Sequence, residues 1–183
     1  RIKFYKNKLI LAEKLNRYLE AQAAADQLLL EPGVSAADRE FAWTRKAYMS
    51  EMALDFAGAL SATGMLQSSL KPDEKILKMA IFAELSGQKS VNYYSQYLQK
   101  SSDEENKKLV AAELVRKSKV PDKEIELYRG ILAKSPQLMA QLYTEAFAKT
   151  SNGEILKRVS KDGALKSTEP GKLLLRQGFL RDF

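Results

Sequence analysis

A chain of 183 residues, 45% hydrophobic and 29% charged, is long and apolar enough for one ordinary domain or one short solenoid, which argues against disorder. It contains no Cys and no His, so disulfides, thiolate nucleophiles, imidazole bases and the commonest transition-metal ligands are excluded together; no catalytic, metal-binding or cofactor-binding residue is expected. The net charge of +7 sits at the ends: residues 1–17 carry six Lys and Arg against one Glu, residues 154–183 carry seven against four, and the body has 17 against 18, whereas a phosphate-tracking surface would run along the body.

With 9 Gly, 5 Pro and long runs of Ala, Leu, Lys, Glu and Gln, the chain favours helix nearly throughout, and strand-like alternation is absent. Phe4 to Leu15 reads as a first helix with Tyr5, Leu9 and Ala12 on one stripe, broken by Asn16 and Arg17. Tyr18 to Leu30 follows with Ala21, Ala25 and Leu28 inward, ended by Glu31-Pro32-Gly33. Ser35 to Asp38 supplies an N-cap for the next helix. The stretch from Phe41 to Ser69 reads as two helices joined by a tight turn at Leu54 to Phe56. Trp43, Ala47 and Ser50 step along the first, and Phe56, Ala59, Thr63 and Leu66 along the second.

Lys71-Pro72-Asp73 marks the next break, with Asp73 placed to cap a helix whose inward stripe is Ile76, Ala80 and Ala83. Ser90 begins its partner, carrying Tyr93, Tyr94 and Tyr97 up to Lys100. Ser101 to Glu105 is an acidic cap, favourable at the positive end of a helix dipole. Leu109, Ala112 and Val115 form the next stripe, Val120-Pro121-Asp122 the turn, and Ile125, Tyr128, Ile131 and Leu132 the returning helix. Ser135-Pro136 opens a helix with Leu142, Ala146 and Lys149 in phase, and Ser151-Asn152-Gly153 turns the chain into Glu154 to Ser160. Lys161-Asp162-Gly163 and Thr168-Glu169-Pro170-Gly171 read as loops. After them, Lys172 to Phe183 reads as an amphipathic helix that caps the last hairpin or docks on a partner.

The small or apolar residue at the corresponding crossing point is Leu9, Ala47, Ala80, Ala112 and Ala146, in steps of 38, 33, 32 and 34 residues. Periods in this range mean stacked helical hairpins. Trp43, Ala47, Phe56, Ala59 and Pro72 follow the 34-residue pattern of an aromatic, a small residue four further on, a turn aromatic, an Ala opening the second helix and a closing Pro. Tyr5, Tyr18, Ala21 and Pro32 repeat parts of it, as do Ala112, Tyr128 and Pro136. On these residues the chain resembles the tetratricopeptide repeat family over roughly residues 4 to 160, with Lys46 and Ser50 standing where apolar and aromatic residues are expected. The resemblance implies an all-α, right-handed α-solenoid of antiparallel hairpins at about 4–33, 37–70, 73–101, 104–135 and 137–160, forming an array over 1–170 with a capping helix at 171–183.

In that family the first helix of each hairpin lines a concave surface that holds peptides, helices or, in some exported members, polysaccharide. The resemblance therefore implies a partner-binding groove along Thr44, Tyr48 and Glu51, then Leu77, Ile81 and Glu84, then Leu109, Glu113 and Arg116, then Tyr143 and Phe147. Tyr48, Ile81, Tyr143 and Phe147 would give it a semi-apolar floor; the competing reading buries them under neighbouring helices or the C-terminal segment. Some members clamp an acidic C-terminus with Lys, Asn and Arg. Lys6 and Asn7 lie near that clamp's first positions, but Ile10, Leu77 and Ile81 fall where polar groups would help, and Lys78 alone does not rebuild it.

Tyr93, Tyr94 and Tyr97 read as packing between hairpins, and Asp103, Glu104 and Glu105 as a solvated helix cap rather than paired catalytic carboxylates. The N-terminal run RIKFYKNK interleaves Lys with Phe and Tyr, a pattern that suits nucleic acid or anionic lipid but is more often the solvated side of a first helix. The expected function is a non-enzymatic protein–protein interaction scaffold that binds a peptide or helix segment, with assembly of a bacterial envelope or secretion complex as the setting the resemblance suggests. The alternative is a polymer-binding module, taking exported polysaccharide along the groove or nucleic acid through the basic ends. No run approaches 18 apolar residues, so no transmembrane segment is expected. The missing Cys leans toward a bacterial periplasm or envelope setting. Arg rather than Met at position 1 suggests a piece of a longer chain.

Overall fold

A computed structural model describes residues 1–181; Asp182 and Phe183, the end of the expected capping helix, lie outside the described residues. Among the described residues there are thirteen α-helices and no strand. The chain divides into two compact units, Arg1–Lys100 and Ser101–Phe183.

Unit 1 holds α1 (Ile2–Lys14), α2 (Tyr18–Leu30), α3 (Ala36–Met52), α4 (Phe56–Met65), α5 (Pro72–Leu85) and α6 (Val91–Lys100), each packed against the next in chain order. The turns follow from local chemistry. Asn16 takes a left-handed φ of 55° between α1 and α2, a conformation its short polar side chain tolerates. Leu54 takes φ 59° between α3 and α4, which costs a branched residue more, and Asp55 follows it as a cap whose carboxylate accepts the Gly58 amide at 2.9 Å. Ser35 caps α3 by accepting from Asp38 N–H at 3.1 Å. The expected cap at Asp73 is displaced: Pro72 occupies the first turn of α5 and Lys71 is the N-cap. The Asp73 carboxylate bonds the neighbouring Glu74 amide instead.

Small residues carry the helix crossings here. Leu9, Ala24, Ala25, Leu28, Val34 and Ala42 form one buried cluster, and Ala59, Leu60, Phe82 and Ala83 another, with Phe56 stacked on Phe82 at 6.4 Å between ring centroids. Ala47 and Ala80, two of the in-phase alanines, are both buried. The two residues that depart from the repeat pattern both find partners on α2. Lys46 pairs with Asp26 while lying over the Trp43 ring, and the fully buried Ser50 accepts a hydrogen bond from Gln22 Nε2 at 3.1 Å.

Unit 2 holds α7 (Glu104–Lys117), α8 (Pro121–Leu127), α9 (Arg129–Leu132), α10 (Pro136–Thr150), α11 (Gly153–Lys161), α12 (Gly163–Lys166) and α13 (Glu169–Arg181). Here α10 is a hub that packs against every other helix of the unit, and Ala140, Leu142 and Ala146 on it are buried together with Ala112 of α7. The single returning helix expected along Ile125, Tyr128, Ile131 and Leu132 is interrupted at Tyr128, one residue before α9, where Gly130 weakens helical continuity, and the expected turn at 120–122 already opens α8. The expected loops around 161–163 and 168–171 are largely helical. Asp162 caps α12 by accepting from the Ala164 and Leu165 amides, and Pro170 and Gly171 lie in the first turn of α13. α13 packs against α10, α11 and α12, with Leu174 fully buried.

Candidate functional site

The expected groove residues are best gathered in unit 1, around Tyr48. Thr44, Tyr48 and Glu51 recur on α3 at steps of four and three, a spacing that sets them on one helix face. Alternate neighbours Ala47, Met49 and Ser50 are buried, so this face is the one left to solvent, and the Tyr48 ring is 48% exposed. Tyr48 borders three adjoining cavities. One of about 630 Å³ is lined by Glu13, Phe41, Thr44, Arg45 and Ser69, and one of about 420 Å³ by Ile10, Lys14, Tyr18 and Met49 among others. The third, about 110 Å³, runs past Ala47, Glu51 and Leu66 to Lys78 and Phe82 of α5. The face is thus built by α1, α3 and α5, the first helices of three successive hairpins.

Its charges neutralise one another across helices. Lys6 of α1 pairs with Asp38 of α3 while lying 5.2 Å over the Phe41 ring, Glu13 of α1 pairs with Arg45 of α3, and Glu51 of α3 meets Lys78 of α5 at 3.7 Å. Lys6 holds the Asp38 carboxyl below its ordinary value, with help from the Ser35 hydroxyl. A Lys6 committed in this way is a poor clamp for an acidic tail.

One wall of the largest cavity is held by a carboxylate strap. Glu40 on α3 accepts from the Ser69 hydroxyl and from the backbone amides of Gln67, Ser68 and Ser69, all between 2.6 and 3.2 Å. The Ser69 hydroxyl first, then the Gln67 amide and the other donors, pull the Glu40 carboxyl down to about 2 against the opposing effect of burial. Thr44 adds a hydrogen bond to Ser69 Oγ at 2.9 Å. The strap fixes the segment after α4 against α3, so Ser69 borders the cavity beside Tyr48.

On α5, Ile81 is 41% exposed and Leu77 is partly buried, but neither lines the cavities around Tyr48; Lys78 and Phe82 do. Glu84 is turned toward α6, where it accepts from the Tyr94 hydroxyl at 2.8 Å. Tyr94 and Tyr97 are themselves buried.

Unit 2 departs from the expected groove. Tyr143 and Phe147 are 1% and 4% exposed, so they are core residues of the α10 hub and not a floor open to a ligand. Tyr143 donates its hydroxyl proton to Glu126, whose carboxylate also meets Arg158 Nη1 at 2.8 Å. Burial raises the Tyr143 phenol well above its ordinary value, and the bond to Glu126 adds to it. Burial also disfavours the Glu126 charge, but the Tyr143 hydroxyl, Arg158 and Arg129 outweigh it and hold that carboxyl below the usual range. Glu113 pairs with Lys117, Arg116 with Glu145 at 2.9 Å, and Leu109 stays 63% exposed. A separate cavity of about 550 Å³ lies between α10 and α13, lined by Gln141, Thr144, Glu169, Leu173 and Arg176 among others.

No family model, curated protein or solved structure matches the chain. What the site does is therefore read from its own geometry. Among the described residues no three acidic side chains are gathered as a metal would need, and no buried side-chain donor or acceptor lacks a partner. The sequence reading missed Phe41, Arg45, Glu13 and Ser69 in this site. Phe41 was findable, because stepping the Thr44, Tyr48, Glu51 stripe back three residues reaches it. The Glu40 strap had no such signal, since it joins positions 27 to 29 residues apart through backbone amides.

Proposed function

We propose that unit 1 is a tetratricopeptide-like array of helical hairpins and that its Tyr48 face binds an extended or helical segment of another protein without performing chemistry on it. The observation that carries this reading is an exposed aromatic shared by three adjoining cavities, on a face where every charge but that of Lys14 is paired across helices. Such a surface offers apolar contact and shape while leaving few free charges for a polyelectrolyte. Its walls are fixed in advance by ion pairs and the Glu40 strap, so the incoming segment alone bears most of the ordering cost. The polar rim of Thr44, Glu51 and Ser69 would set the segment's register.

The test is selection of peptides from a displayed random library on the full chain, with counter-selection on a Tyr48→Ala variant, followed by calorimetry. The reading expects peptides with apolar anchors whose affinity falls at least roughly tenfold on Tyr48→Ala and changes little with salt. Selected ligands that are strongly charged, and whose affinity collapses as salt rises, would favour the polymer alternative and overturn the apolar-segment reading.

A further inference from the structure

The outer side of α1 carries a second surface, away from the paired charges of the Tyr48 face. Phe4, Lys8, Leu11 and Leu15 follow one another at steps of four, three and four, which places them on one stripe of the helix and its C-cap. Phe4, Leu11 and Leu15 are 63%, 59% and 53% exposed, and Leu19, just past the turn, is 73% exposed. Three large apolar side chains on one solvated stripe are more than a scattered surface hydrophobe or two.

The charges around them are of one sign. Arg1, Lys3, Lys8 and Lys14 are exposed and form no ion pair among the described residues, whereas Lys6 and Arg17 are engaged by Asp38 and Glu20. The sole acidic residue in the first seventeen, Glu13, is taken by Arg45. We propose that this stripe is a peripheral membrane contact, in which Phe4, Leu11 and Leu15 enter the headgroup boundary of a bilayer and Arg1, Lys3, Lys8 and Lys14 meet the phosphates of anionic phospholipids. An apolar stripe with a basic surround is the pattern by which a helix lies in a membrane interface without crossing it. Among the described residues no helix is long and apolar enough to cross one.

Two features favour a lipid surface over an acidic partner helix. A partner helix seats in a groove. Phe4, Leu11, Leu15 and Leu19 line none of the four cavities described above and project from the surface instead. Phe4 is also braced edge-on against Tyr5, with ring centroids 5.3 Å apart, so the outermost apolar tip is oriented before any contact.

The experiment is flotation of the full 183-residue chain with vesicles of phosphatidylcholine containing one third phosphatidylserine, against vesicles of phosphatidylcholine alone. The chain is expected to float with the anionic vesicles, with partitioning reduced roughly tenfold or more on neutral vesicles and on raising salt from about 0.1 M to about 0.5 M. A Leu11→Ser/Leu15→Ser variant and an Arg1→Gln/Lys3→Gln/Lys8→Gln variant should each lose binding by a similar factor, and their circular dichroism should match the parent because every substituted side chain is exposed. Tyr48→Ala should float as the parent does, which separates this surface from the peptide face. Failure of the parent to float, or equal flotation of the leucine variant, overturns the proposal. An acidic amphipathic peptide that binds the parent and loses affinity on Leu11→Ser/Leu15→Ser, where vesicles do not bind, would overturn it in favour of a protein partner.

Discussion

In unit 1 each helix leans on its successor in the chain, whereas in unit 2 six helices lean on one. The difference decides what becomes of equivalent side chains. Tyr48 on α3 and Phe147 on α10 each follow an in-phase alanine by one residue on the first helix of a hairpin, yet one ring faces solvent and the other is sealed. Serial packing leaves the first helices with an open side, and cross-helix ion pairs keep that side ordered. Hub packing covers the side of α10 that carries Tyr143 and Phe147, so its aromatics become core.

The largest effect that probes this contrast comes from the hub. Leu142→Ala is expected to cost about 3 kcal/mol in urea unfolding. Hydrogen exchange should show α7 and α10 to α13 losing protection together. Leu28→Ala in unit 1 should cost a similar amount but release mainly α1 to α3, with α5 and α6 still protected, because serial contacts pass destabilisation only to neighbours. Uniform loss across unit 1 would erase the distinction.

Gly171→Ala should come next, at about 1–3 kcal/mol. A Cβ there would lie 2.1 Å from the Leu165 carbonyl oxygen, so α13 must shift from α12. Limited proteolysis should then cut within α13 before any site in unit 1.

Glu40→Gln should cost about 1 kcal/mol, measured by urea unfolding across a pH series. Because the folded carboxyl is lowered to about 2, its contribution is complete above the ordinary glutamate value near 4.3 and drains away as the pH falls toward 2. The variant should therefore show a flatter acid limb than the parent, and a parallel limb would remove the strap from the account.

The smallest stability effect should be Tyr48→Ala, within about 0.5 kcal/mol, while peptide binding is lost. Tyr143→Phe, by contrast, should cost about 1 kcal/mol through the bond to Glu126 and leave peptide binding intact. Equal stability losses at the two positions would mean that the Tyr48 ring is not the open feature it is taken to be.

The boundaries of α1 to α7 and the buried phase of Ala47, Ala80, Ala112 and Ala146 could be read from sequence to within a few residues, because they rest on local punctuation and a period of about one hairpin; those of α8, α9, α12 and α13 could not. The environment of Tyr143 and Phe147 could not, since the same phase is open or closed according to which distant helices pack on it. Gly171 was legible as a special position but for the wrong reason: it permits a close approach by the Leu165 carbonyl within the first turn of α13 and does not make a loop. Lys46 and Ser50 stood out as departures from the repeat pattern, and only the partners Asp26 and Gln22 on α2 explain them.

The Tyr143, Glu126 and Arg158 knot makes unit 2 vulnerable to alkaline conditions. Tyr143 should keep its proton beyond the free phenol value in a titration with base, because burial and the neighbouring Glu126 carboxylate both disfavour a phenolate there. Its support for the fold is whole below about 10, the free phenol value, and erodes as the pH climbs beyond it. A late step in phenolate absorbance that coincides with the melting of α10 would make this ring an internal reporter of when unit 2 opens.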